Sequence, residues 1–199
     1  KTLLIADGHH RFEVAREYFR RHPTPQAASM LVYVCAEEDR GLLVLPTHRV
    51  VAPPEEALRR VRAGCRLLPK PGLQALLKAL AAHPSPYAFG VFEPPRGFAL
   101  AVPASTGGAR SGLCVEYLAR RVTKDVDPHH LRYTHEAGEA VALAQELGGA
   151  ALLVKPASVA AIRRAVERIG LLPQKSTYFY PKVTTGLVFK PLAEGISPH

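Results

Sequence analysis

Five apolar residues in a row, Ala150 to Val154, stand between two amphipathic helical patterns, and this alternation most limits the folds open to the chain. Upstream, Ala137, Val141, Ala144 and Leu147 share one helical face before Gly148-Gly149 stops the pattern. Downstream, Ser158 opens a helix in which Val159, Ile162, Val166 and Ile169 line one side, and Gly170 ends it. Helix, strand and helix in succession are the signature of helices packed on a sheet.

Two hairpin signals make that sheet other than purely parallel. Met30 to Cys35 and Leu42 to Leu45 flank the polar turn Glu37-Glu38-Asp39-Arg40-Gly41, and Tyr87 to Phe92 and Phe98 to Val102 flank Pro94-Pro95-Arg96-Gly97. The expected fold class is α/β to α+β, a mixed sheet with antiparallel hairpins and flanking helices. Leu3 to Ala6 reads as a buried strand entering a helix from about His10 to Arg20, with Phe12, Ala15 and Phe19 as its core face. Further helices are expected from Pro53-Pro54 through Arg62, over Leu73 to Ala82 and near Leu113 to Arg120, and a strand over Val183 to Phe189. A soft boundary is placed near residues 103–112.

The chain has 199 residues, enough for one ordinary domain or two small ones with a proper core. It begins on core-like residues without an initiating Met, which reads as part of a longer protein whose N-terminal part would be a partner of the site. No apolar run approaches the 18 or so residues of a membrane span. The formal charge of +9, from 26 basic and 17 acidic residues, puts anionic ligands first. The basic residues are scattered through helices, with no dense run and no zinc-finger or helix-turn-helix signature, which argues against nucleic acid. Cys35, Cys65 and Cys114 are too few and too far apart for a disulfide framework and fit a reducing cytoplasm. The absence of Asn and Trp and the single Met are compatible with a heat-loving source.

Chemistry concentrates first in Ala6-Asp7-Gly8-His9-His10-Arg11-Phe12-Glu13, where a strand turns directly into a helix. Free amides at such a helix start favour negative charge, and Gly8 permits the sharp turn that brings them near a ligand. Arg11 offers a two-pronged contact to phosphate, His9 and His10 offer hydrogen bonds or a proton, and Asp7 can orient a histidine, activate a hydroxyl or hold magnesium. A phosphate-binding or phosphoryl-transfer site follows. A metal reading competes, since Asp7, His9, His10 and Glu13 include suitable ligands and Asp125, Asp127, His129, His130 and His135 form a second cluster. Adjacent histidines rarely point both rings at one ion, so magnesium with bound phosphates is preferred over a transition metal. The third candidate is the strip Gln174 to Lys182: Lys175 and Lys182 bring charge, Ser176 and Thr177 hydroxyls, and Tyr178 and Tyr180 share one side of a strand while Phe179 enters the core. Thr47-His48-Arg49, at a strand end, is a weaker fourth. Ser105-Thr106-Gly107-Gly108 lacks the Lys-Ser/Thr ending of a phosphate loop.

Four segments in order carry a family resemblance: Leu4 to Glu13, Leu43 to Arg49, Leu153 to Ser158, and Pro173 to Lys182 with Thr185-Gly186-Leu187. Together they resemble the bacterial and archaeal "domain of unknown function 1015" family, whose members are commonly about twice as long, so the resemblance implies a C-terminal portion. Members tend to have Asn where this chain has Lys155. The resemblance brings no activity of its own. The Asp7-to-Arg11 run is also similar to the helix start of ParB-like proteins, whose relatives include a free-serine kinase and sulfiredoxin. That similarity implies nucleotide phosphates at Gly8, His9, His10 and Arg11.

The functional expectation is a cytoplasmic, nucleotide-dependent phosphotransferase acting on a small metabolite, with nucleotide and Mg²⁺ as cofactors. Asp7, His9, His10 and Arg11 are its catalytic candidates, and Gly8, Glu13, His48, Arg49, Lys175, Ser176, Tyr178 and Lys182 its cofactor-binding candidates. A non-enzymatic nucleotide or metabolite sensor and a metal-dependent hydrolase are the alternatives.

Overall fold

The computed structural model describes residues 3–173, 175–184 and 186–192. Gln174 and Thr185, both named in the sequence motifs, lie outside the described residues. The chain divides into two units, Lys1–Leu43 with Phe179–His199 and Val44–Tyr178.

The first unit contains α1 (His9–Arg21), close to the predicted span. Its last turn is charged to suit the helix dipole, with Glu17 holding Arg20 at 2.8 Å and Arg21 at 2.7 Å. The expected core face does not form: no α1 residue is buried, and Phe12 and Phe19 are each 40% exposed. Leu3 to Ala6 and Met30 to Cys35 are not strands, and Leu3, Leu31, Val32 and Tyr33 are exposed. Apolar composition alone does not make a strand; without a neighbouring ladder the backbone groups turn to water. The polar turn after Cys35 does form, with Asp39 Oδ1 accepting from Gly41 N at 2.8 Å, but no hairpin surrounds it. Val183 to Phe189 likewise contains no strand among its described residues.

Leu43, the first unit's last residue before the boundary, opens β1 (Leu43–Leu45), and the chain continues through β2 (His48–Val51), α2 (Glu55–Gly64), β3 (Cys65–Lys70), α3 (Leu73–Ala82), β4 (Phe89–Glu93) and β5 (Gly97–Pro103). α4 (Cys114–Tyr117) runs into a π-helical turn, Leu118–Val122. The 3₁₀ turn Pro128–His130 leads to β6 (Leu131–Thr134), α5 (Ala137–Glu146), β7 (Ala150–Leu153), α6 (Val159–Ile169) and β8 (Tyr178–Tyr180). Six strands form one sheet in the order β3-β5-β4-β7-β2-β6, with every pairing antiparallel; β1 and β8 form a separate two-stranded sheet. The fold is thus mixed α and β, with the predicted hairpin present as β4 and β5.

Side chains alternate across this sheet into two cores. On one face, Val51, Phe89, Val91 and Leu152 pack with Leu58 and Val61 of α2 and with Tyr117, Leu118 and Val122. On the other, Val50, Phe92, Leu100, Ala151 and Leu153 pack with Leu76 and Leu80 of α3 and with Ala140 and Ala144 of α5. β7 lies between β4 and β2 with all four residues buried, which explains its unbroken apolar run. Burying Leu152 and Leu153 each contributes about 1.5–3 kcal/mol. Gly90 lets α3 approach the sheet: a Cβ there would stand 2.9 Å from Leu76 Cδ2 and 3.1 Å from Leu153 Cβ.

Candidate functional site

The sequence candidates separate into two clusters, one in each unit. In the first unit, Gly8 adopts φ 80° and ψ 24°, a left-handed conformation natural to glycine, and caps the start of α1. Phe12 N donates to Gly8 O at 2.9 Å, closing the first helical turn. The amides of His9, His10 and Arg11 precede that bond and have no intrahelical acceptor. His9, His10, Arg11 and Glu13 are exposed, and the Arg11 side chain folds back over Gly8.

Asp7 connects the turn to the far end of the chain. Its carboxylate lies 3.3 Å from Lys182 Nζ and 3.6 Å from Arg11 Nη2. Partial burial opposes ionisation, but the Gly8 amide, Lys182 and Arg11 together hold the Asp7 carboxyl below the usual carboxylate range. Asp7 is therefore a weak base and a standing negative charge between two cations. Glu13 makes a surface ion pair with Arg16 at 3.7 Å.

In the second unit, β2 carries His48 and Arg49 inward, and both are buried. His48 Nδ1 accepts from Val154 N at 3.1 Å, so the neutral ring carries its proton on Nε2. Burial, with smaller contributions from His135 and Arg49, pushes the His48 imidazole down to about 4. Arg49 Nη1 donates to Thr47 O at 2.8 Å and Nη2 to Lys175 O at 3.4 Å, while its guanidinium lies 5.6 Å from the Tyr133 ring centre. Burial lowers its basicity, and no carboxylate pairs with it among the described residues. Lys175 has φ 56°, and Ser176 Oγ donates to Pro173 O at 2.5 Å. Tyr178 stacks on His135 with ring centres 3.7 Å apart, and His135 Nδ1 lies 3.0 Å from Pro46 O. Lys175 is thus joined directly to Arg49 and Tyr178 to Pro46 through His135, while Ser176 bonds within its own segment.

Beside them lies a cavity of about 210 Å³ whose lining includes Thr47, Cys114, Lys155, Ser158 and Ser176. Cys114 is no nucleophile: burial pushes its thiol up to about 12, and its Sγ donates to Tyr87 O at 3.4 Å. The loop before α4 is held by Glu116, whose Oε2 accepts from Arg110 N at 2.8 Å and Ser111 N at 2.6 Å, while Oε1 accepts from Arg120 Nε at 2.8 Å. The sequence offers Thr47 only within the weaker candidate Thr47-His48-Arg49 and gives no signal that makes Lys155, Glu116 or Tyr133 site residues. Thr47 and Lys155 are ordinary polar residues in loops and Glu116 sits in α4, and burial is what marks Thr47 and Glu116.

The second acidic and histidine cluster does not assemble. Asp125 pairs with Arg60 at 2.8 Å, Asp127 Oδ1 accepts from His129 N at 2.8 Å, and His135 turns to Tyr178. Among the described residues no group of three or more His, Cys, Asp or Glu is placed to hold a metal ion. No helix among them is long and apolar enough to cross a membrane.

Comparison with known proteins places this architecture among relatives. The family model described as "protein of unknown function (DUF1015)" matches residues 1–146. A conserved hypothetical protein from Pyrococcus furiosus is similar in structure, with TM-score 0.50 and 16% identity over 87% of this chain and 68% of the other. A free serine kinase, solved as a point mutant in complex with AMP, is similar with TM-score 0.56 and 14% identity over 87% of this chain and 65% of its own. At these identities the likeness is one of fold. No curated protein matches the chain in sequence.

Proposed function

We propose that this chain, which belongs to the DUF1015 family, is a nucleotide-binding protein of phosphotransferase type, with the phosphates seated on the turn from Asp7 to Arg11. The observation that carries the reading is the left-handed Gly8 at the start of α1, flanked by Arg11 and Lys182. The amides of His9 to Arg11 and the helix dipole offer an anion site, and the missing side chain of Gly8 allows close approach. The likeness of fold to a free serine kinase in complex with AMP supports a nucleotide as the anion.

In this reading Arg11 contacts phosphoryl oxygens and His9 and His10 donate hydrogen bonds to them. Asp7, held ionised, orients an acceptor hydroxyl. The donor set also fits Mg²⁺, a hard cation that commonly takes one or two carboxylates and fills its shell with phosphate oxygens and water. Asp7 is the carboxylate on the turn that would hold it, and the ion would supply neutralisation of phosphate charge. Lys182 keeps Asp7 in place while the nucleotide is absent.

A second reading is a sensor that binds nucleotide without turnover, favoured by the low basicity of Asp7 between two cations. Calorimetry with AMP, ADP and ATP tests both readings, using the wild-type chain and a His10→Ala, Arg11→Ala double variant. Nucleotide binding that the double variant loses supports the shared site; absence of binding to the folded wild type overturns both. Asp7→Asn then separates them: turnover lost with affinity retained marks the enzyme, and no turnover in the wild type marks the sensor.

A further inference from the structure

The cavity is lined wholly by residues of the second unit, and its lining is unusual in what it leaves unpaired. Thr47 is 3% exposed, and its hydroxyl is buried with no hydrogen-bond partner among the described residues. Leaving such a group unpaired costs about 1–3 kcal/mol. β2 begins one residue later, so the sheet fixes Thr47 at the cavity floor instead of letting it turn to water. Lys155 is half-buried in the wall; its ammonium donates to His83 O at 2.8 Å and has no carboxylate partner among the described residues.

The charge on the described lining, that of Lys155, has one sign. Among the described residues no Asp or Glu lines the cavity. The N-terminal end of α6, 11 residues long, forms part of the wall through Ser158 and Ala161, with Ser158 Oγ accepting from Ala161 N at 3.1 Å. Arg49, buried and unmatched by a carboxylate, donates to the carbonyl of Thr47 itself. The rest of the lining is apolar, from Leu45, Pro84, Leu113 and Val154 among others. A volume of about 210 Å³ is below the roughly 300 Å³ at which drug-sized pockets begin.

We infer that this cavity is a binding site for a small organic anion with an apolar body, its acidic head set between the Thr47 hydroxyl and the Lys155 ammonium. Exposed Pro156 and Ser158 stand at its mouth, and buried Thr47 and Cys114 at its floor. The head group accepts the hydrogen bond that Thr47 otherwise lacks, and the aliphatic body replaces water against the proline and leucine walls. A cation of the same shape meets Lys155 and the helix dipole with the wrong sign.

The test uses the full chain, with hexanoate as probe and hexylamine and inorganic phosphate as controls, read by thermal shift and calorimetry. Hexanoate should raise Tm while hexylamine and phosphate leave it unchanged. Thr47→Val should keep or raise the stability of the free chain, since it removes a buried hydroxyl that has no partner to lose, and weaken hexanoate about fivefold, the equivalent of one hydrogen bond. Lys155→Met should weaken it about tenfold or more, the range of a charge-assisted bond. The His10→Ala, Arg11→Ala double variant should bind hexanoate as the wild type does, so failure here is independent of the nucleotide reading. No shift with hexanoate, an equal shift with hexylamine or phosphate, or wild-type affinity in both cavity variants overturns the proposal.

Discussion

The backbone amide of Val154 donates to Nδ1 of His48 across 3.1 Å, which fixes a neutral imidazole between the end of β7 and the start of β2. A proton on Nδ1 would remove that acceptor and place a charge in a buried site.

Acid stability should therefore depend on His48. Its folded value of about 4 lies below the ordinary 6.5, so the unfolded chain takes up a proton first as pH falls. The stabilisation is fully present above pH 6.5, is lost between pH 6.5 and 4, and amounts to roughly 3 kcal/mol at most. Urea unfolding at pH 7 and pH 4.5 should show that loss in the wild type. His48→Asn, which keeps an acceptor for Val154 N but cannot titrate, should flatten it; an unchanged pH difference would count against the assignment.

Glu116 should be as costly to neutralise. Burial opposes its ionisation, but Ser111, the Arg110 amide and Arg120 hold its carboxyl below the usual range. Its stabilisation is present above the ordinary 4.5 and is lost as pH falls through the lower folded value. Glu116→Gln should lower stability by about 2 kcal/mol or more at pH 7, because Arg120 loses its charge partner and two amides share a poorer acceptor. Denaturant midpoints within experimental error of wild type would refute this.

Gly8→Ala should act locally. The new methyl is strained at φ 80° and would stand 3.1 Å from the Arg11 guanidinium. A stability cost of about 1 kcal/mol is expected, with nucleotide affinity falling more than that cost alone would explain. Equal nucleotide affinity in the two proteins would remove the turn from the phosphate site.

Gly90→Ala tests the packing of α3. The new methyl would crowd the Leu76 side chain and the Leu153 Cβ, both fully buried, so overpacking should cost about 1–3 kcal/mol. The loss should appear in the melting temperature without a change in hexanoate or nucleotide affinity at 25 °C.

How far the sequence could be read follows from which residues carried a pattern. α2, α3, α6 and the β4 and β5 hairpin stood close to expectation because amphipathic spacing, Ser158 and the Pro94-to-Gly97 turn are local signals. β3 and β6 escaped notice because they are edge strands, one containing Pro69 and the other exposing Arg132 and Tyr133. β2 was hidden by its chemistry, since His48 and Arg49 look like a polar loop until burial shows them inside a sheet. In the first unit the error ran the other way: apolar runs at Leu3 and Met30 promised strands that have no ladder. Of the site, the pairing of Asp7 with Lys182 joined two motifs that sequence had left apart, while the cavity required knowing which polar atoms lack a partner.

The position of β7 also sets when the cavity comes into being. Its register with β2 pairs Arg49 with Leu152 across about 100 residues of chain, and its register with β4 pairs Val91 with Leu152 across about 60. Such distant pairings close large loops, whose entropic cost is met before the contacts repay it. Thr47 and Lys155, which flank β2 and β7, come together only once the pairing of those two strands is made, so a bound anion should retard unfolding and leave the rate of folding as it was.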